Sequence, residues 1–362
     1  MITGLGVGGA ERLVIDLADS LIELGHQVAI LYLTGTADLK PKHSSVRIIG
    51  MGVRSPYDFF AVYFRCRRFL VKYKPHVVHS HLFHANILAR LLRWSVDIPK
   101  LISSAHNNNE GSRWRMFAYR LTDRLTDITT NVSEVATQSF IDRNGCRPDR
   151  IRTLHNGINT RRFRFDSISR DLIRKELRIS PNSKLIVAVG RLNAAKDYPN
   201  LLTAISLLRA SNPFQVAIVG DGPLRSELKR LAVALKISNK ILWLGVRDDI
   251  PAVLSAADVF VLSSAWEGFG LVVAEAMACE RVVVATDCGG VKEVLGDVGY
   301  LIPPKQPSLL ASAIMSALSL SEFEAGLLGT RARKRVEESY SLQQAVRRWI
   351  AIYEGQTSVD PA

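Results

Sequence analysis

Short β-rich runs alternate with helical patterns along almost the whole chain, and this alternation is what most restricts the fold. In the first half the runs are Val28–Leu33, Val46–Met51, Val77–Ser80, Leu101–Ser104 and Ile128–Val132. The second half repeats the rhythm at Leu185–Val189, Val216–Val219, Ile241–Leu244, Val259–Leu262 and Val282–Ala285. Strands that alternate with helices predict parallel sheets covered on both faces. At 362 residues the chain exceeds one ordinary core, so two α/β domains are expected. The pattern predicts two doubly wound, Rossmann-like domains facing across a cleft, with ligands bound beyond the carboxyl ends of the strands.

The break is expected near His155-Asn156-Gly157-Ile158-Asn159, before a polar, Arg-rich stretch. This gives a first domain over 1–160, a second over 161–340, and a helix and tail over 341–362 that return toward the first. A first helix is predicted from about Ala10 to Leu24, with Leu13, Leu17, Leu21 and Leu24 on one face and Gly25 as its stop. Only Met1-Ile2-Thr3 precede the glycine turn that opens it, so either the first strand is very short or the natural chain begins a few residues earlier, the latter being the expectation.

Hydrophobic residues make up 47% and charged residues 22%, which excludes a disordered chain. No apolar run approaches the roughly 18 residues that span a bilayer, and no leader pattern follows Met1, so a cytoplasmic location is expected. Cys66, Cys146, Cys279 and Cys288 have neither metal-site nor disulfide spacing and are expected to be reduced. The net charge of +13 leans toward the front half and suits an anionic substrate, a membrane surface or nucleic acid.

Three glycine-bearing segments suit a phosphate ligand. Gly4-Leu5-Gly6-Val7-Gly8-Gly9 runs into the first helix, yet matches neither a dinucleotide fingerprint nor a Walker loop. Gly190-Arg191-Leu192-Asn193-Ala194-Ala195-Lys196-Asp197 follows a strand and offers a guanidinium fork and a point charge to a diphosphate. In Trp266–Ala278, Glu267 precedes a Gly268-Phe269-Gly270 turn, the Leu271 and Val272 amides sit at the positive helix end, and Glu275 follows one turn in, placed to accept from a vicinal diol. Each alone reads equally as a tight turn with solvated charges.

No D-x-D triplet is present to hold a divalent cation against a diphosphate. His106, at a strand end before Asn107, Asn108 and Asn109, reads as ligand-facing. His79, His81 and His84 have no acid or Cys beside them, so no metal site is expected there. Tyr57–Lys74 and Arg113–Arg124 interleave cations with aromatics, which suits either a lipid headgroup layer or an ordinary amphipathic helix.

Taken together, the motifs resemble glycosyltransferase family 4, retaining enzymes of the two-domain GT-B fold. The likeness rests on G-G-A-E-R at Gly8–Arg12, His106, H-N-G-I-N at His155–Asn159, and G-R-L-x-x-x-K-D at Gly190–Asp197. V-G-D-G-P at Val219–Pro223, the E-x7-E pair Glu267–Glu275 and A-T-D-C-G-G at Ala285–Gly290 complete it. Asn159, where Asp is common, and Lys292, where Pro or a small residue is common, depart from the pattern.

The resemblance implies an acceptor-side first domain and a nucleotide-sugar-binding second domain. It implies that Gly8 and Gly9 approach the donor diphosphate, that Arg191 and Lys196 bind its oxygens, and that Glu275 holds the ribose. Glu267 would then touch the donor sugar, backbone around Arg247 and Ile250 would receive the base, and His106 would lie near the anomeric carbon.

The implied function is transfer of a hexose or N-acetylhexosamine from a nucleotide donor, a UDP-sugar, to a glycan acceptor on a polyprenyl diphosphate, with no cofactor or metal. Surface polysaccharide or lipopolysaccharide synthesis would be the setting, with peripheral docking on the inner face of an anionic membrane. The competing readings are a sugar-nucleotide epimerase on the same fold and a non-catalytic polyanion binder. Paired acids in the cleft would repel nucleic acid.

Overall fold

β-branched runs form the strands because their side chains are buried on both sheet faces: Val282–Thr286, V-V-V-A-T, is buried at all five positions. The computed structural model describes residues 1–6, 8–107, 111–209 and 213–356. The chain forms two compact units, one of Met1–Gly157 together with the segment from Leu342 onward, the other of Ile158–Ser341.

Among the described residues, the first unit carries a seven-stranded sheet: β1 (Ile2–Leu5), β2 (Ala29–Ala37), β3 (Arg47–Val53), β4 (Val77–His81), β5 (Lys100–Ser104), β6 (Ile128–Asn131) and β7 (Ile151–Thr153). Their order is β3-β2-β1-β4-β5-β6-β7, with every pairing parallel. The second unit, again among the described residues, carries six strands: β8 (Lys184–Val189), β9 (Phe214–Val219), β10 (Ile241–Gly245), β11 (Val259–Leu262), β12 (Val282–Thr286) and β13 (Tyr300–Ile302). These run in the order β10-β9-β8-β11-β12-β13, also all parallel. The order reverses at β1/β4 in one unit and at β8/β11 in the other, and ligands bind such sheets at those switch points.

Three local features refine the reading of the sequence. A strand does precede the glycine turn: β1 is four residues long, pairs with β2 and β4, and buries Ile2 and Leu5 completely. β2 runs on through Thr34-Gly35-Thr36 because it remains paired there with its neighbours. The first helix is Gly9–Glu23, and Leu24 is its 56%-exposed cap rather than a core residue, since Gly25 turns the chain at φ +85°.

The helix Leu342–Tyr353 packs within the first unit, where Val346, Trp349 and Ile352 join Leu17, Ile102 and Leu154. A cavity of about 660 Å³ in this unit is lined by Val28–Leu31 and Val77–Val78 at the amino ends of β2 and β4.

Candidate active site

In the second unit, two loops leave the sheet at its switch point, Gly190–Asp197 after β8 and Ser263–Gly270 after β11. The first is clamped to the loop after β9: Gly190 N–H donates to Val219 O (2.9 Å) and Leu192 N–H to Asp221 O (3.0 Å). A Cβ at Gly220, φ +132°, would sit 2.1 Å from Gly190 O, which explains the glycine in V-G-D-G-P. Asn193 Oδ1 accepts from Lys196 N–H (3.3 Å) and so caps the single turn Ala194–Lys196.

That turn lays the Lys196 stem across Gly190, where a Cβ would come 2.9 Å from Lys196 Cε. The ammonium therefore ends 2.5 Å from Glu267 Oε1, and Ser264 Oγ donates to the same oxygen at 2.7 Å. Both charged side chains are largely enclosed, Lys196 18% and Glu267 15% exposed. Arg191 is exposed and makes no side-chain hydrogen bond or ion pair among the described residues.

The Glu267 turn is held from two sides. Ala265 N–H donates to Ala195 O (2.8 Å), while Thr286 Oγ1 donates to Ser264 O (2.6 Å) and Gly290 N–H to Gly268 O (3.2 Å). Gly289, at φ +58°, comes so close that a Cβ there would lie 1.8 Å from Glu267 O. Gly270, at φ +87°, opens the helix Leu271–Ala278, whose first residues Leu271 and Val272 are half-buried. Glu275 is half-buried one turn in.

Phe269 commits its ring to the core. It is 3% exposed and packs edge-to-face on Tyr340 with ring centroids 5.5 Å apart, because an aromatic ring gains more from the core than from the loop surface. Arg247 is likewise committed: its guanidinium bridges Asp249 (2.8 and 2.6 Å) and Glu176 (2.6 and 3.2 Å). Those bonds raise the Arg247 pKa and hold the Asp249 carboxyl below its usual range. Ile250 begins the next helix, Ile250–Ala256.

In the first unit, Gly8 is extended at the start of the helix Gly9–Glu23, and Glu11 folds back over it: a Cβ at Gly8 would lie 2.3 Å from Glu11 Oε2. Burial raises the Glu11 carboxyl pKa. Gly9 is exposed, and Val7 lies outside the described residues.

His106, two residues beyond β5, places Nε2 3.1 Å from Nδ1 of His81, the last residue of β4. Burial pulls the His106 imidazole down to about 4 and that of His81 well below its ordinary value, so both are neutral at pH 7. Asn108 and Asn109 lie outside the described residues. His79 has both ring nitrogens occupied by hydroxyls, Tyr353 at 2.8 Å and Ser104 at 2.7 Å, while His84 is exposed on the next helix. Among the described residues no group of three His, Cys, Asp or Glu could hold a metal ion.

Sequence reasoning missed Ser264, Asn193, Glu11 and His81. Ser264 and Asn193 each stand three residues before their partners, Glu267 and Lys196, the spacing of a local side-chain cap. Glu11 stands three residues after Gly8, where only a glycine leaves room for its carboxyl. His81 had a signal only in the pairing of β4 with β5, which sets His81 opposite Ser104.

Both halves match known families. Residues 7–162 match the model "Glycosyltransferase Family 4" and residues 169–335 the model "Glycosyl transferases group 1". The chain is 30% identical to N-acetyl-alpha-D-glucosaminyl L-malate synthase of Bacillus anthracis, over 56% of this chain and 53% of that protein. It is 29% identical to the UDP-Gal:alpha-D-GlcNAc-diphosphoundecaprenol alpha-1,3-galactosyltransferase of Escherichia coli, over 62% of this chain and 60% of the relative. It thus spans less than two thirds of either relative's length.

The fold is similar to that of Anabaena HepE, solved in complex with UDP and glucose, with a TM-score of 0.85 and 18% identity over 98% of both chains. The two models follow one another along the chain and between them take in the glycine turn after β1, the His106 loop and both loops at the β8/β11 switch point. The chain belongs to glycosyltransferase family 4 and has its GT-B fold.

Proposed function

We propose that the protein moves a hexose or N-acetylhexosamine from a UDP-sugar to a lipid-linked glycan acceptor, with retention of anomeric configuration, in surface polysaccharide or lipopolysaccharide synthesis. The observation that carries this reading is the Lys196–Glu267 pair at the β8/β11 switch point, with Arg191, which has no side-chain partner among the described residues, near it on the loop after β8. Lys196 and Arg191 neutralise the diphosphate, and the Leu271 and Val272 amides add the positive end of a helix. Glu275 accepts from the ribose hydroxyls, Glu267 from the donor sugar, and main chain at Arg247 and Ile250 receives the base. No metal or cofactor is invoked, because these cations take up the leaving group's charge.

The bond from the anomeric carbon to the phosphate oxygen breaks as the acceptor oxygen bonds on the same face. The departing diphosphate takes the acceptor's proton. Stabilising the negative charge of that leaving group is then the main catalytic task.

A panel of nucleotide sugars tested for protection against thermal unfolding checks the reading. A ligand at a hundred times its Kd adds about 2.7 kcal/mol, which in a protein this large raises Tm by roughly 4 °C. A UDP-sugar is expected to give that shift; no shift with any member of the panel contradicts the proposal.

The acceptor's lipid brings the enzyme to a membrane. Helix Phe59–Tyr73 buries Val62, Cys66 and Leu70 but exposes Phe60 (72%) and Phe64 (63%) beside Arg67, Arg68 and Lys72. Helix Arg113–Leu121 exposes Trp114 and Phe117 beside Arg113. Aromatics interleaved with cations suit an anionic headgroup layer. Among the described residues no helix is long and apolar enough to cross a membrane. In flotation the protein is expected to rise with phosphatidylglycerol vesicles and not with phosphatidylcholine ones; equal behaviour with both removes membrane docking.

A further inference from the structure

His81 has no part in the chemistry set out above, yet its ring is among the most tightly held in the first unit. It is 3% exposed. The β4–β5 register sets His81 opposite Ser104, so His106, two residues further along, comes up beside the His81 ring. On its other side the ring lies against His79 at a centroid distance of 4.0 Å, and His79 is itself pinned at both nitrogens by Tyr353 and Ser104. Ser104 continues the chain of bonds to Thr130 Oγ1 at 2.7 Å.

Two neutral imidazole nitrogens 3.1 Å apart need one proton between them, and its location fixes the tautomer of both rings. His106 Nδ1 is buried and has no hydrogen-bond partner among the described residues. If His81 were the donor, His106 would carry its own proton on Nδ1 as a buried N–H with nothing to receive it. The reverse arrangement leaves a bare lone pair there and puts the His81 proton on Nε2, an atom that, unlike His106 Nδ1, is not sealed from solvent; an unpaired buried acceptor is better tolerated than an unpaired buried N–H.

We propose that His81 is a positioning residue that accepts a hydrogen bond from His106 Nε2–H and thereby keeps His106 Nδ1 as a lone-pair acceptor for a substrate hydroxyl. This rests on the reading of His106 as a ligand-facing histidine of a transferase.

A long-range 1H–15N correlation spectrum of 15N-histidine-labelled protein reads the tautomer directly, whether or not any sugar is turned over. Wild type is expected to show His106 protonated on Nε2; protonation on Nδ1 overturns the inference. In His81→Leu the His106 tautomer is expected to become mixed. Its kcat should then fall roughly a hundredfold with the donor KM within about threefold.

His81→Asn, whose Oδ1 can stand where Nδ1 stood, is expected to restore both the tautomer and most of kcat. Equal losses in the Leu and Asn variants, both with wild-type Tm, overturn it as well. Should the Leu variant fail to fold, the wild-type and Asn spectra decide. The expected tautomer in a protein that turns over no nucleotide sugar would uphold the hydrogen bond and remove the transferase reading instead.

Discussion

Lys196→Ala is expected to lower turnover at least about a hundredfold while the protein stays folded. The ammonium sits at the switch point of the second unit, 2.5 Å from Glu267 Oε1, and the pair is enclosed. A preorganised donor facing the charge of a leaving group contributes about 2.7 to 4 kcal/mol to the transition state. Removing Lys196 does more than delete that donor, since it also leaves the Glu267 carboxylate with only the Ser264 hydroxyl and sets a bare negative charge close to the donor's phosphates.

The loop itself should persist. It is fixed by main-chain bonds from Leu192 to Asp221 and from Ala265 to Ala195 that do not involve the lysine side chain. The check is kcat at saturating donor together with Tm; a rate near that of wild type removes Lys196 from the site.

Gly289→Ala should damage the same site through the backbone. At φ +58° a Cβ already costs about 1 to 2 kcal/mol, and here it would also overlap Glu267 O at 1.8 Å. The Gly289–Gly290 segment cannot retreat without losing the bond from Gly290 N–H to Gly268 O, so the Glu267 turn must move. A displacement of about 1 Å at a catalytic group can cost roughly a hundredfold in rate.

Gly35→Ala is the control. Gly35 is also at positive φ, +75°, but nothing lies within 4 Å of its Cβ position. It is expected to lose about 1 kcal/mol of stability and no activity. Equal activity in the two variants would show that the contact of Gly289 with Glu267 does not position the site.

Most of the strands were legible because β-branched runs buried on both faces have no other use, as at Val259–Leu262. β7 and β13 were not. Each is only three residues long and lies at a sheet edge, where Arg152, Thr153 and all of Tyr300-Leu301-Ile302 stay partly exposed, and a run of three is too short to stand out. The glycine motifs were legible as turns, but the reason for Gly220 and Gly289 lies in contacts with Gly190 and Glu267, residues distant in sequence.

The same holds for the site. Spacing proposed Lys196 and Glu267 separately, on loops 71 residues apart, and only the β8–β11 pairing sets them in contact. Where the Phe269 ring goes was not legible, because a Gly-Phe-Gly string does not reveal that Tyr340 lies behind it.

Isothermal titration of UDP tests the central claim most directly, because it reads the diphosphate site without needing the right sugar or acceptor. Wild type is expected to bind UDP, and the double variant Arg191→Ala/Lys196→Ala to bind it at least about a hundredfold more weakly, since each charge-assisted contact is worth about 1.5 to 3 kcal/mol. Equal affinity in the two proteins, or no binding by wild type, would contradict a pyrophosphate held on the loops after β8 and β11.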